Sequence, residues 1–445
     1  MNVSCISQPF KVHRREPEII RPAKATPHEV KALSDIDDQD GLRFHLPIIH
    51  VYPHNSSMEG VDPVELIRHA ISKTLVFYYP FAGRLREVGP TRKLVVECSG
   101  EGVLFIEADA DTTLHQSANS LIPPSPYLED FLFNVRSSDG VLNSPLLLIQ
   151  VTRLKCGGFV FTISFNHTMC DGPGLVQFMT AVGEIARGKQ VPSIVPVWER
   201  HVLSARNPPN PTCSHPEYEN NPTIPLPLKD LVQRAFFFES KQLSIIKKFI
   251  PPHMLPSSTF EILTSCMWKC RTISLQPNPT QIMRMICLVN VRKRFNPALL
   301  PEGYYGNGFL LSTVTSTAED LVQNPLDYTL GLIKKAKNNV SEEYVQSAID
   351  TLVSKGRPLF HVEGTYIMSD NMRLGYREID FGWGNAIYGG PARVIPTMGS
   401  YLVPYQNTNG ENGILVPLSL PIQAMDRFTK ELKNLLKDNS PKCYV

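Results

Sequence analysis

A chain of 445 residues with 42% hydrophobic side chains has room for two or three domains with ample cores. A net charge of +2, without any basic block interleaved with aromatics, argues against a nucleic-acid partner. The nine cysteines are scattered and odd in number. They read as reduced thiols of a cytosolic protein, with Cys266 and Cys270 the closest pair. No apolar signal core opens the chain and no run approaches about 18 apolar residues, so neither secretion nor a membrane span is expected.

Residues 1–40 read as polar and irregular, with Pro17, Pro22 and Pro27, and the acidic turn 34–38 reads as a solvated loop. Residues 42–52 alternate as a strand, in which Pro47 predicts a sheet edge or a bulge. Asp62 followed by Pro63 is a helix start, and the helix is expected to run through about residue 75. Phe77, Tyr78 and Tyr79 before Pro80 read as core packing or as a pocket wall. Residues 93–98 and 103–108 look like a strand pair joined by Ser99-Gly100-Glu101-Gly102.

Residues 150–188 are the most informative stretch. A strand is followed by the turn Lys155-Cys156-Gly157-Gly158. Beyond it Phe159, Phe161, Ile163 and Phe165 alternate with Thr162, Ser164 and Asn166, the period of a half-buried strand. That run breaks at His167. Pro173 then suits the first turn of a helix, and Leu175, Phe178, Met179, Val182 and Ile185 follow at helical spacing. His167 therefore stands where a strand ends and a helix soon begins. An imidazole with an ordinary pKa of roughly 6.5 can take a proton from a hydroxyl near neutral pH. Asp171 could orient it or tie down the turn. Spacing alone leans toward an ordinary hydrogen-bonded surface pair. A zinc site lacks a third ligand at recognisable spacing.

Pro196, Pro208, Pro209, Pro211, Pro216, Pro222, Pro225 and Pro227 mark a crossover linker between two domains. Residues 234–239 read as a strand, and Ser258-Thr259-Phe260-Glu261 as a capping box before a helix to about residue 271. Residues 283–291 form a strand ending in Asn290-Val291-Arg292-Lys293-Arg294, a solvated strand end or a phosphate anchor. Tyr304-Tyr305-Gly306-Asn307 is expected to open another strand. Helices are expected over 325–338 and 342–355, strands over 366–368 and 414–420, and an amphipathic helix over 424–436. Asp380-Phe381-Gly382-Trp383-Gly384 reads as a rigid aromatic-glycine loop. Strands and helices in non-alternating order favour an α+β layering over a doubly wound sheet. Residues 183–190 imitate a phosphate-binding loop but end in Gln190 where Ser or Thr belongs. No Gly-x-Ser-x-Gly elbow is present. Cys170 reads as a small buried cysteine or, less commonly, a nucleophile.

His167 to Gly172, His-x-x-x-Asp-Gly, taken together with Asp380 to Gly384, resembles the plant BAHD acyl-CoA-dependent acyltransferase family. Tyr79-Pro80-Phe81-Ala82-Gly83-Arg84-Leu85, Tyr304-Tyr305-Gly306-Asn307 and Asn290-Val291-Arg292 support the resemblance. Residues 21–27, 34–39 and 194–200 are similar to the branch of fruit alcohol acyltransferases and benzyl alcohol O-benzoyltransferases.

The resemblance implies an α/β fold like chloramphenicol acetyltransferase, with two domains and an interdomain channel. The implied division is 1–195, carrying His167, a linker over 196–227, and 228–445, carrying the Asp380 loop. His167 would be the general base and the Trp383 indole the oxyanion donor. Asp380 would be structural, as would Asp171 paired with Arg292, and Gly172, Gly382 and Gly384. Arg373, Ser369, Asn371 and Tyr304 would lie at the substrate and CoA sites. Arg373 stands where the hydroxycinnamoyl-shikimate branch holds an acceptor carboxylate, but Ser369-Asp370-Asn371-Met372 departs from that pattern. A neutral pocket for benzyl, short aliphatic or alicyclic alcohols is the expectation, with benzoyl-CoA or a short-chain acyl-CoA as donor. The resemblance implies a cytoplasmic monomer with acyl-CoA as co-substrate, no bound cofactor or metal, and no nucleic-acid or membrane partner. Amide formation with an amine, or a silent relative that binds CoA esters or a partner protein, are the other readings.

Overall fold

Local sequence signals set most of the elements. The computed structural model describes residues 10–133, 140–218, 230–407 and 410–437, with side chains throughout except at 118–120. The first half runs β1 (Val12–Arg14), β2 (Glu18–Ile20), β3 (Val30–Ala32), β4 (His45–Tyr52), α1 (Pro63–Thr74), β5 (Arg84–Val88), β6 (Lys93–Glu97), β7 (Val103–Ala110), α2 (Leu114–Leu121), α3 (Leu128–Phe131), β8 (Leu147–Leu154), β9 (Phe159–Asn166) and α4 (Gly172–Ala186). The second half runs β10 (Leu231–Glu239), α5 (Ser240–Lys247), α6 (Thr259–Leu275), β11 (Ile282–Asn290), β12 (Phe309–Thr317), α7 (Ala318–Gln323), α8 (Leu326–Asn338), α9 (Glu342–Ser354), β13 (Thr365–Asp370), β14 (Tyr388–Pro391), β15 (Gly399–Gln406), β16 (Asn412–Pro421) and α10 (Ile422–Leu435).

Helix starts follow their caps. The Asp62 carboxylate accepts from the Val64 N–H at 3.1 Å, with Pro63 in the first turn. In α6 the Ser258 N–H donates to Glu261 Oε2 at 2.7 Å while Ser258 Oγ accepts from the Glu261 N–H. That helix runs on to Leu275, past the expected end near 271, and stops at Gln276 in a left-handed conformation.

The main sheet of the first half has the order β1-β7-β8-β9-β4-β14, with β2 also on β7. Its centre is the antiparallel hairpin β8–β9, beside which β4 runs antiparallel with His45 opposite Asn166 and Tyr52 opposite Phe159. The second half has the sheet β10-β16-β15-β13-β11-β12. Its core gathers Trp268, Met285, Leu330, Ile349 and Phe428.

Several expectations change. β9 is buried on both faces along its whole length, so it is not half-buried. Its polar face lies under α3, where Thr162 Oγ1 donates to the Phe131 carbonyl at 2.6 Å and the Gln150 amide to the Asp130 carbonyl at 3.0 Å. β6 and β7 do not pair with each other. β6 joins β3 and β5 in a small separate sheet, while β7 joins the main sheet. The chain passes between them through Gly100 and Gly102, both at positive φ, and a Cβ on Gly102 would run into the Ile20 carbonyl. Residues 304–307 form a loop, and β12 begins only at Phe309. Part of the expected linker, 219–227, lies outside the described residues.

The two halves are not divided by a single point in the sequence. β14 pairs with β4, Tyr388 opposite Val51 and Pro391 opposite Ile48. Tyr376, Ile379, Phe381, Trp383 and Ala386 are buried in the core of the first half, although they follow the linker in sequence. Pro47 is therefore not on an edge strand. It sits one residue beyond the β14 pairing, where its carbonyl accepts from the Ala392 N–H.

Candidate active site

Asn166 ends β9. Its Oδ1 accepts from the Thr168 N–H at 3.1 Å and the Thr168 hydroxyl at 2.8 Å, a local turn that competes with further strand. His167 is the next residue, and its N–H is tied to the Phe44 carbonyl at 2.9 Å. Asp171 caps α4, accepting from the Gly174 N–H at 3.0 Å. The sequence thus places a histidine in a short, stiff turn between a buried strand and a capped helix.

The imidazole lies at the seam of the two halves, framed by three aromatic rings. Phe44 and Phe165 come from the first half, at 5.4 and 5.5 Å between centroids, and Phe309 from the second, at 6.1 Å. His167 is half-buried. Its Nδ1 is enclosed by protein, beside its own carbonyl and the Asn307 side chain, so Nε2 is the nitrogen free for chemistry. Burial holds its pKa below the ordinary imidazole value, against the opposing pull of its own carbonyl, Asp171, Asn307 and Asp37. The resting side chain is a neutral base.

Asp171 points away from the imidazole and into the second half. Arg292 meets it with two hydrogen bonds of 2.7 Å, one to each oxygen, and the Gly308 N–H adds a third donor at 2.9 Å. Arg292 also donates to the Gly306 carbonyl. Gly174, one turn into α4, has to be glycine because a Cβ there would run into the Tyr305 carbonyl. Gly172 lies against Leu374 and the Tyr376 hydroxyl, 2.9 and 3.1 Å from where its Cβ would stand.

The turn 34–38 is not a solvated loop. Ser34, Asp37 and Asp38 are buried, and each carboxylate has at least one cationic partner. Asp38 meets Arg43 and Arg357 at 3.3 Å, and Lys93 at 3.8 Å. Asp37 meets Arg200 at 2.6 Å and Asn307 at 2.8 Å. In the sequence Asp37 read as part of a solvated acidic turn, and Arg200 and Asn307 only as parts of motifs. The signal that could have found them is an acidic residue and an arginine, both inside motif segments, on either side of a linker.

Asp380 is structural in its contacts. Its Oδ1 accepts from the N–H groups of Gly382 and Gly384, both at 2.7 Å, and Arg187 pairs with its Oδ2 at 3.4 Å. Both glycines have positive φ. Trp383 must be reassigned. Its ring packs edge-on against Phe159, 5.1 Å between centroids, at the opposite end of β9 from His167. An extended strand rises about 3.3 Å per residue, so the backbone at Phe159 and at His167 stands roughly 25 Å apart. The indole does not reach an oxyanion formed at His167.

Tyr304 is reassigned as well. Its ring is 2% exposed and faces the guanidinium groups of Arg292 and Arg200, with no surface left for a ligand. Ser369 donates to Asn371 Oδ1 at 3.2 Å, Asn371 is buried and Arg373 is exposed. Ser369 is near the end of β13, two strands from Phe309, and Asn371 and Arg373 follow it in the segment that leads to Leu374 and Tyr376 beside Gly172. A cleft of about 520 Å³ lined by Asn290, Arg292, Lys293 and Arg294 opens at the end of β11, where Asn290 pairs with Phe309. Cys170 is fully buried, and burial with the nearby Asp171 pushes its thiol well up, so it stays protonated and is no nucleophile. Among the described residues no cluster of three His, Cys, Asp or Glu side chains could hold a metal ion, and no helix is long and apolar enough to cross a membrane.

Residues 10–435 match the model of the Transferase family. The chain is 56% identical over 438 residues to benzyl alcohol O-benzoyltransferase of Petunia hybrida, covering 97% of this chain and 95% of that protein. It is 55% identical over 440 residues to the same-named protein of Nicotiana tabacum, at 97% and 95% coverage. Alcohol acyl transferase 1 allele GSa of Malus domestica is 50% identical over 436 residues, at 96% and 94% coverage. Among solved structures, vinorine synthase superposes with a TM-score of 0.73 at 21% identity, covering 96% of this chain and 98% of that one. TRI101 of F. sporotrichioides, complexed with coenzyme A and T-2, follows at 0.68 and 17% identity, with 91% and 98% coverage. At those identities the structural likeness speaks for the fold.

Proposed function

This chain belongs to the BAHD acyltransferase family, and from that premise we propose that it moves a benzoyl or short-chain acyl group from acyl-CoA to the hydroxyl of a small neutral alcohol. The observation that carries the reading is His167 itself: a neutral imidazole with Nε2 free, at the seam of two halves that could each present one substrate.

The steps follow from the site. The alcohol O–H gives its proton to Nε2 as its oxygen attacks the thioester carbonyl carbon. A tetrahedral oxyanion forms, the C–S bond breaks, and the imidazolium returns its proton to the CoA sulfur. A positioned base of this kind contributes roughly 10²- to 10⁴-fold. Attack is direct, because Cys170 offers no thiolate to carry the acyl group first. The charged groups nearest the ring, Asp171 with Arg292 and Asp37 with Arg200, are paired behind the turn. The aromatic frame of Phe44, Phe165 and Phe309 supports a neutral, apolar acceptor such as benzyl alcohol. The basic cleft at Lys293 and Arg294, at the end of β11 where Asn290 pairs with Phe309, supports a polyanionic donor. Both halves of the site come from one chain, which supports a working monomer. Seven described cysteines without disulfides support a reducing, cytoplasmic setting.

The test is to incubate the purified protein with a panel of acyl-CoAs and with matched alcohols and amines, His167→Ala alongside, following free thiol and product. Ester that disappears in the variant supports the proposal and ranks the donors. Thiol without ester, or amide in preference to ester, overturns the acceptor class. No thiol from any donor overturns the transferase reading.

A further inference from the structure

The turn that carries His167 is held by a second carboxylate network which proton transfer does not use. Three segments distant in sequence converge on it. Asp37 comes from the N-terminal turn, Arg200 from the linker, and Asn307 from the loop before β12. The Asp37 carboxylate is fully buried and accepts five hydrogen bonds, from the Ser34 N–H and hydroxyl, from Arg200, and from the Asn307 N–H and side-chain amide. Arg200, 2% exposed, spends its other terminal nitrogen on the Met169 carbonyl at 2.7 Å. The Asn307 amide donates to Asp37 Oδ1 and to the His167 carbonyl, both at 2.8 Å.

The loop Gly306-Asn307-Gly308 is built for this. A Cβ on Gly306 would run into the Arg200 guanidinium, and one on Gly308 would stand 2.7 Å from that of Arg292. Successive N–H groups then serve two different carboxylates, Asn307 to Asp37 and Gly308 to Asp171. The chemistry at 307 is narrow. Two acceptors face one side chain, so two hydrogens on one nitrogen are needed. Serine brings one and aspartate none. Asn307 Oδ1 is buried as well and lies on the His167 side, where it pulls the imidazole pKa up, so both hydrogens of the amide nitrogen are left for Asp37 and the His167 carbonyl.

We propose that Asn307, braced by Asp37 and Arg200, is a positioning residue of the transfer reaction: it clamps the His167 carbonyl and thereby sets where Nε2 meets the substrates. The inference rests on the acyl-transfer reading, and it adds a residue that touches neither substrate. A reacting group displaced by about 1 Å can lose some 10²-fold in rate.

The experiment compares Asn307→Ala and Asn307→Ser with Ser312→Ala. Ser312 lies on β12, is buried and donates to the Ala336 carbonyl at 2.6 Å, so its loss removes one buried hydrogen bond of the strand that follows the Asn307 loop without touching the turn. Two quantities are read on folded protein. One is kcat with KM for both substrates. The other is the imidazole signal of His167 in ¹H–¹³C spectra, assigned with His167→Ala. Asn307→Ala is expected to lower kcat roughly 10- to 100-fold at near-constant KM and to move the His167 signal. Asn307→Ser, which keeps one donor, should fall between it and wild type, and Ser312→Ala should change neither quantity. If alanine at 307 prevents folding, the serine variant decides alone. An unmoved signal with kcat within twofold of wild type overturns the proposal, as does an equal loss in Ser312→Ala. Wild-type protein that makes no ester, yet whose signal moves only in the 307 variants, sinks the acyl-transfer reading and leaves the clamp standing.

Discussion

Replacing Asp171 by asparagine isolates the ion pair beneath the catalytic turn. Asparagine is as good a helix cap as aspartate, so the cap contribution nearly cancels. The carboxylate accepts four hydrogen bonds, two from Arg292 and one each from the Gly174 and Gly308 N–H groups. An amide nitrogen must face two of these donors whichever way the side chain turns, so two bonds are lost, at least one of them to the guanidinium. Bonds to charged groups contribute about 1.5–3 kcal/mol each, and removing one partner of a buried pair costs about 3–5 kcal/mol. The pair is well buried, with side-chain exposures of 15% for Arg292 and 6% for Asp171, so a loss of about 3–5 kcal/mol is expected. Urea unfolding at constant m-value reads it. The double variant Asp171→Asn/Arg292→Met should recover most of that stability, since it keeps an acceptor for the cap and leaves no uncompensated charge, while kcat stays low because the turn has lost its anchor. A loss below about 1 kcal/mol in Asp171→Asn would refute the reasoning.

Three further outcomes follow from the site. The depressed pKa of His167 makes the neutral base available below the ordinary range. Activity should therefore rise with pH through a midpoint below about 6.5 and stay near its plateau at neutrality; a midpoint above that value in kcat/KM contradicts it. Trp383→Phe should retain kcat within a few-fold, because the indole is remote from His167, and a 10²-fold loss would return it to oxyanion duty. Cys170→Ala should keep turning over with sequential kinetics, whereas loss of a covalent acyl intermediate in that variant would revive the nucleophile.

What was legible in the sequence was local. The caps of α1, α4 and α6, the β8–β9 hairpin and the place of His167 depend on residues within a few positions of one another. The family motifs added the functional reading, because spacing alone could not tell His167 and Asp171 from a surface pair. Illegible features depend on distant partners. Burial of the polar face of β9 requires α3, which no period-two pattern can announce. Asp37 looked solvated because its counterion, Arg200, lies beyond an entire half of the chain. Trp383 shares a motif with Asp380, but a motif carries no distance to His167. Tyr304 reads as a ligand contact in one dimension and is a wall between two guanidinium groups in three.

The pairing of β14 with β4 has a consequence for synthesis on the ribosome. A first half that folds as it emerges can seat β4 on β9 but leaves the outer edge of β4, the stretch Ile48 to Val51, bare. The strand that covers it is translated only after β10 to β13 have been made. Throughout that interval the nascent protein carries an apolar, unpaired strand, the feature most prone to join a neighbouring chain. High-level heterologous production should therefore fail through co-translational aggregation before it fails through thermal instability, and slower translation or a chaperone that shields strand edges should raise the soluble yield.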